Sequence, residues 1–212
     1  IKIIGIAHDE YDLVDFHQCY NAFSEYQPTY IFHLASVNGN IEFNRKYPET
    51  ILYNTAQIGL NVLRCCKRFN IKKVLSILSS CAYPDIPGGI LKEEDFCNGQ
   101  PNQSVRSHAI GKRLIYEYGY QLHKQYGLNA ITCVVNTTYG KFDNYSLDKT
   151  KIVGSLIKKY VDATREKAKI VELWGEGDRV RREVIYSDDV GKLLVWALEN
   201  YEDCEFPINF GC

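Results

Sequence analysis

Methionine is absent from all 212 residues, position 1 included. The expectation is a chain that lacks its natural start. An excess of charge is also missing: 25 basic side chains face 26 acidic ones, whereas proteins that neutralise nucleic-acid phosphates carry a marked basic surplus. No nucleic-acid partner is expected. No run approaches the roughly 20 apolar residues that span a bilayer. Residues 1–7 also lack the basic start and small-residue cleavage site of a secretory leader. The expectation is a cytoplasmic protein with no membrane partner. The eight cysteines, at 19, 65, 66, 81, 97, 133, 204 and 212, form no CxxC pair and no His/Cys cluster at zinc spacing. Free thiols are expected, and no metal.

What is present fits one soluble α/β domain. At 24.4 kDa and 45% hydrophobic residues the chain can bury one good core, but not two full-sized ones. Residues 1–7 form a short apolar, β-branched run that predicts a buried strand, as do 29–35 (TYIFHLA), 72–78 (KKVLSIL) and 129–135. Helical spacing of apolar residues predicts helices over 16–26, 49–69, 107–126 and 152–168. Strands alternating with helices of this length favour parallel βαβ units in a doubly wound sheet. Such sheets hold ligands at the carboxyl ends of their strands, so the segments after Ala35, Leu78 and Val135 are the ones to watch. The long segment 79–103 is expected to have a functional role.

Two of these places carry recognisable chemistry. Strand 72–78 runs into Ser79-Ser80-Cys81-Ala82-Tyr83-Pro84, and the following helix carries His108-Ala109-Ile110-Gly111-Lys112. This pairing resembles the active site of extended short-chain dehydrogenases/reductases, the GDP-L-fucose synthase branch in particular. The likeness continues in order through HLA at 33–35, NxxYP at 44–48, NG at 98–99 and KQYG at 124–127. It ends with YGxxDN at 139–144, WGxG at 174–177 and RREVIYSDD at 181–189. The resemblance implies a Rossmann-like domain and an NADP(H)-dependent epimerase/reductase. That family converts GDP-4-keto-6-deoxy-D-mannose, a GDP-sugar, to GDP-L-fucose. By analogy it also implies a homodimer through the two long helices.

Carried over residue by residue, the resemblance places Ser79 on the substrate carbonyl and Lys112 on the nicotinamide ribose, where it also tunes the proton donor. The family's donor is a tyrosine, four residues before the lysine and so on the same helix face. Here that position holds His108. Its ordinary pKa of about 6.5 would let it act as an acid near neutral pH, though a neighbouring ammonium disfavours the charged ring. Cys81 matches the cysteine of the epimerising pair, and Lys151 stands where the family has the partner histidine. A lysine can donate there if burial lowers its pKa; a solvated lysine at a helix start is the plainer reading. For Cys81 the plainer reading is a small buried thiol. Asp12 and Leu13 are expected at the adenine, and Leu34, Ala35, Val135 and Thr137 elsewhere along the cofactor. Ile152, Leu156, Lys159, Trp174 and Arg182 are expected on the GDP portion, with 141–178 on the substrate side.

The 212 residues contain no Gly-rich phosphate loop of the kind that opens such domains. By alignment with the family, 1–212 is read as a single incomplete domain, lacking the first βα unit and most of the C-terminal substrate lobe. That absence, with His108 and Lys151, keeps a second reading open: a catalytically inactive relative that binds nucleotide sugars or acts as an interaction protein. Another nucleotide-sugar enzyme of the superfamily, a 4-epimerase or 4,6-dehydratase, is the third; the cysteine in SSCAYP argues against it.

Overall fold

The computed structural model describes residues 2–37, 39–86, 89–146, 150–173 and 182–211. Local chemistry sets where its elements begin and end. The Asp15 carboxylate accepts from the His17 N–H at 2.7 Å and so caps helix α1 (Phe16–Tyr26). Strand β1 (Tyr30–His33) and the short helix α2 (Ile41–Lys46) follow. Pro48, whose fixed φ suits a first helical turn, opens α3 (Pro48–Arg68), which leads to β2 (Lys73–Ser79). Helix α4 (Arg106–Tyr126) ends at Gly127 with φ 69, the left-handed conformation glycine adopts without steric cost. Beyond it lie β3 (Ala130–Val135), β4 (Thr137–Tyr139), α5 (Ile152–Glu166), β5 (Val184–Tyr186), α6 (Ser187–Asn200) and β6 (Ile208–Phe210).

Four strands form one sheet in the order β1-β2-β3-β6, every pair parallel. Helices cover both faces, and strand alternation sorts the core accordingly. Val74, Leu78, Ala130 and Val134 face a cluster with Phe23, Leu63 and Ile115 from α1, α3 and α4. Their neighbours Leu75, Ile131, Cys133 and Val135 face the opposite cluster, with Val190, Leu194 and Ala197 of α6. This is the doubly wound architecture expected from the alternation of elements.

The strand expected over 1–7 is not formed. Residues 2–7 have no strand structure, and Ile3, Ile4 and Ile6 are exposed. A β-branched run becomes a strand only when a neighbour completes its ladder, and among the described residues β1 pairs with β2 alone. The two long helices meet closely instead. A Cβ added at Gly59 of α3 would stand 2.2 Å from Ile115 of α4, and one at Gly111 would meet Thr55 at 3.1 Å. These glycines let α4 lie tight on α3 and fix its height over the sheet.

The segment between β2 and α4 is anchored rather than loose. Phe96, fully buried, contacts Tyr83 and Tyr116 edge-on, with centroids 5.0 and 5.3 Å away. The Arg113 guanidinium donates from Nε to the Ala82 carbonyl and from Nη1 to that of Gly99, both at 2.6 Å. Tyr83 donates its hydroxyl proton to Asn209 at 2.7 Å, which joins this segment to β6. Two sequence motifs far apart in the chain also meet: β4 and β5 pair in parallel, with Tyr139 opposite Tyr186.

Candidate active site

The carboxyl ends of β1, β2 and β3 lie side by side, His33 paired across from Ser76 and Ser79 from Val135. Over this edge sits the first part of α4. Its Lys112 is 4% exposed and its Nζ donates to the Ile77 carbonyl of β2 at 2.8 Å. His108, one turn earlier, is buried with Nδ1 lacking a partner. Beneath them His33 is 3% exposed and its Nε2 also lacks one. Buried imidazole nitrogens without partners are rare, and they mark a place prepared for water or a ligand.

These groups feel each other electrostatically. Burial, and then the Lys151 charge, lower the Lys112 pKa to about 8. Burial, followed by the Lys112 and Lys151 charges, lowers that of His108 to about 4, against a small opposing effect of the Val37 carbonyl. Burial, then Lys112, lowers that of His33 to about 3. At neutral pH Lys112 is therefore charged while both imidazoles are neutral. This corrects the expectation that His108 serves as an acid near pH 7: the ring is too dry and too close to two ammonium groups.

Ser79 ends β2, and its hydroxyl oxygen accepts from the Cys81 N–H at 3.3 Å, leaving its own proton free. Cys81 is exposed on the turn Ser80–Ala82, against which α4 packs, so it is not the buried thiol of the plainer reading. Lys151 is exposed just before α5, so the burial that would make it a proton donor is absent, although its charge reaches the site. The seven described cysteines are free thiols, and no metal-holding cluster of three or more His, Cys, Asp or Glu occurs among the described residues. None of the described helices is long and apolar enough to cross a membrane.

The expected cofactor contacts spread along the same edge. Leu34 is exposed and Ala35 half-buried just after β1; Val135 is buried at the end of β3, and Thr137 starts β4. Asp12 accepts from the Val14 N–H at 2.9 Å in a turn before α1, and Leu13 packs on the core there. On α5, Ile152 is exposed and Leu156 half-buried, while the Lys159 ammonium donates to the Glu172 carbonyl at 3.0 Å. Arg182 is exposed before β5. Trp174 lies outside the described residues. An open groove of about 690 Å³ on α6, lined by Asp188, Lys192, Val195 and Trp196, contains none of these residues.

The family model described as NAD dependent epimerase/dehydratase matches residues 2–210. The chain belongs to this family. Within the epimerase/dehydratase family it is 34% identical over 181 residues to the GDP-L-fucose synthase of Dictyostelium discoideum, covering 85% of this chain and 56% of that protein. It is 29% identical to the GDP-L-colitose synthase of Yersinia pseudotuberculosis, over 99% of this chain and 68% of that one. The chain thus spans little more than half of the Dictyostelium relative. Among solved structures, a Naegleria fowleri GDP-L-fucose synthetase bound to NADP superposes with a TM-score of 0.88. It is 26% identical, over 99% of this chain and 67% of that chain. The Campylobacter jejuni GDP-D-glycero-L-gluco-heptose synthase, solved with NADPH, superposes at 0.87, with 25% identity over 98% and 72%.

Sequence reasoning missed three members of the site: His33, the Ile77 carbonyl and the Val37 carbonyl. Only His33 left a signal, as the polar residue closing an otherwise apolar strand in the HLA motif.

Proposed function

We propose that this chain carries the reducing centre of a cytoplasmic, NADP(H)-dependent epimerase/reductase of the GDP-L-fucose synthase type, acting on GDP-4-keto-6-deoxy-D-mannose. One observation carries the reading: the Lys112 ammonium, buried and fixed on the Ile77 carbonyl beside Ser79 at the carboxyl edge of a parallel sheet. The activities named for the relatives support it. In this reading 1–212 acts as a single domain, with 141–178 on the substrate side. The working form is a homodimer, for which exposed Leu52 and Tyr53 of α3 and Leu114 of α4 offer an apolar face.

The residues present fit the nicotinamide-ribose end of the cofactor, while the 212 residues hold no Gly-rich loop for its pyrophosphate. Among the described residues Lys112 spends one N–H on Ile77, which leaves N–H capacity for a ribose hydroxyl. Leu34, Ala35, Val135 and Thr137 flank it along the strand ends, with Asp12 and Leu13 toward the adenine. NADPH, when bound, supplies a hydride. The Ser79 hydroxyl donates to the substrate carbonyl oxygen and so stabilises the charge that develops there. His108 stands where a proton must be delivered, but with a pKa of about 4 its charged form is about one in a thousand at pH 7. Proton donation therefore limits reduction. Cys81 flanks the carbons beside the ketone for epimerisation, and Lys151, in the partner's place, contributes its charge from the exposed start of α5. Ile152, Leu156, Lys159, Trp174 and Arg182 hold the GDP portion.

His108 also favours a second reading, a nucleotide-sugar binding protein without turnover. The test is to titrate NADPH and GDP-mannose calorimetrically, then follow NADPH oxidation with the 4-keto sugar. The enzyme reading expects binding, with turnover slowed about 10²- to 10⁴-fold by the missing acid, and a faster reaction in His108→Tyr. Binding with no oxidation by either form supports the second reading. Failure to bind both ligands overturns both.

A further inference from the structure

His33 takes no part in the chemistry just described, yet it lies directly under it. Its partner on β2 is Ser76, and the next residue of that strand, Ile77, offers the carbonyl that holds Lys112. Neighbouring strands are about 4.8 Å apart, so the imidazole and the ammonium share one buried layer beneath the first turns of α4. Their hydrogen-bonding needs are complementary. Among the described residues Lys112 has two N–H groups without a protein partner, and His33 has a buried Nε2 with none. With its proton on Nδ1, His33 offers a buried acceptor in the layer that holds the buried donor, and a water between them makes bonds to both.

We infer that His33 is a positioning residue: through one trapped water its bare Nε2 provides the second acceptor for the Lys112 ammonium, holding Nζ at the height the site requires. The charged and titratable groups that act on this pair are few. The Lys112 charge acts on His33, and the Lys151 charge acts on Lys112 from the start of α5. His108 lies on the same face of α4. No carboxylate is bonded to Lys112 among the described residues, so the acceptors of its protons are the Ile77 carbonyl and, by this inference, His33. The low pKa of His33 fits an acceptor that must not compete for the proton.

The inference rests on Lys112 being the cation of the proposed site, but its test needs no turnover. Lysine side chains are carbon-labelled in the full 212-residue chain, Lys112 is identified by its loss in Lys112→Arg, and its ionisation is followed by NMR. Losing one acceptor from a charged donor should lower the Lys112 pKa by about one to two units in His33→Phe. His33→Gln, which again presents an acceptor at that depth, should restore most of it. An unchanged Lys112 pKa in His33→Phe, or no restoration by His33→Gln, overturns the inference. If His33→Phe does not fold, long-range proton–nitrogen correlation in the unaltered chain decides: a bare Nε2 is required, and a protonated Nε2 refutes it. A chain that binds no NADPH yet shows these shifts would sink the proposed function and leave this inference standing.

Discussion

Acidification from pH 7.5 to 5.0 should destabilise this protein far more than its near-neutral charge balance suggests. His33 and His108 are both buried, and their pKa values fall to about 3 and about 4 from an ordinary 6.5. Between those limits the unfolded chain binds two protons that the folded chain refuses, so stability is full above pH 6.5 and is lost as the pH falls toward 4. Each histidine then removes about 2 kcal/mol by pH 5.0, since 1.5 units below the unfolded pKa correspond to about 1.36 kcal/mol apiece. Together they remove about 4 kcal/mol, a large part of the 5–15 kcal/mol that holds a domain folded. Lys112 adds little slope here: with a lowered pKa of about 8 it is mostly charged in the folded state at pH 7.5 and nearly fully so by pH 6, and its main loss of stability occurs as pH falls from its unfolded value of 10.5 through 8. Glu202, lowered chiefly by its hydrogen bond from Lys73, acts only below its unfolded value of 4.5.

Urea denaturation reads this directly. With a slope of about 2 kcal/mol per molar, the midpoint should fall by about 2 M between pH 7.5 and 5.0. His33→Gln and His108→Gln should each abolish about half of that fall, and the double variant nearly all of it. A midpoint that moves by less than about 0.5 M, or a fall that persists in the double variant, would refute the claim that both rings are buried neutral.

Three further outcomes follow from single contacts. Gly59→Ala puts a Cβ at 2.2 Å from fully buried Ile115 and should cost about 1–3 kcal/mol in chemical denaturation, with Ile115→Val in the same chain recovering much of it. Lys73→Met removes a buried ammonium that donates to the Leu198 and Tyr201 carbonyls and to Glu202 at 2.7, 3.0 and 2.6 Å; a loss of about 2–3 kcal/mol is expected, and an unchanged thermal midpoint would show those acceptors rehydrate freely. Lys112→Met should leave the thermal midpoint unchanged or higher, because it removes a buried charge with no carboxylate partner, while abolishing NADPH binding in calorimetry; retained binding would show that Lys112 does not hold the cofactor.

Most of the sheet was legible because its signals are local. β2 and β3 are mostly apolar and buried along their length, as strands covered on both faces are, and each expected helix carries apolar residues at helical spacing. What misled at residues 1–7 is the same rule applied without a neighbour: the run is β-branched, but strand structure belongs to a pair of segments and not to one. The short strands β4, β5 and β6 escaped for a related reason. Three residues each carry no period, and they are strands because β3 and one another hold them.

The site divides along the same line. The family resemblance pointed to Ser79, His108 and Lys112 because it rests on motif order and spacing, and a strand end and two positions on one helix face are properties of nearby residues. The working state of His108 is not such a property. Its pKa depends on burial under α4, on Lys112 one turn away and on Lys151 ahead of α5, brought near by folding. From sequence the ring titrates near neutrality and is a usable acid; once desolvated between two ammonium groups it is a neutral ring. A tyrosine in that place is helped by the same cations, because they stabilise its anion and lower its pKa, whereas a histidine is hindered, because they oppose its cation. The exchange of one for the other therefore reverses the sign of the electrostatic assistance while keeping the geometry, and the residue that looks most like a conservative replacement for the proton donor is the one the surroundings disarm.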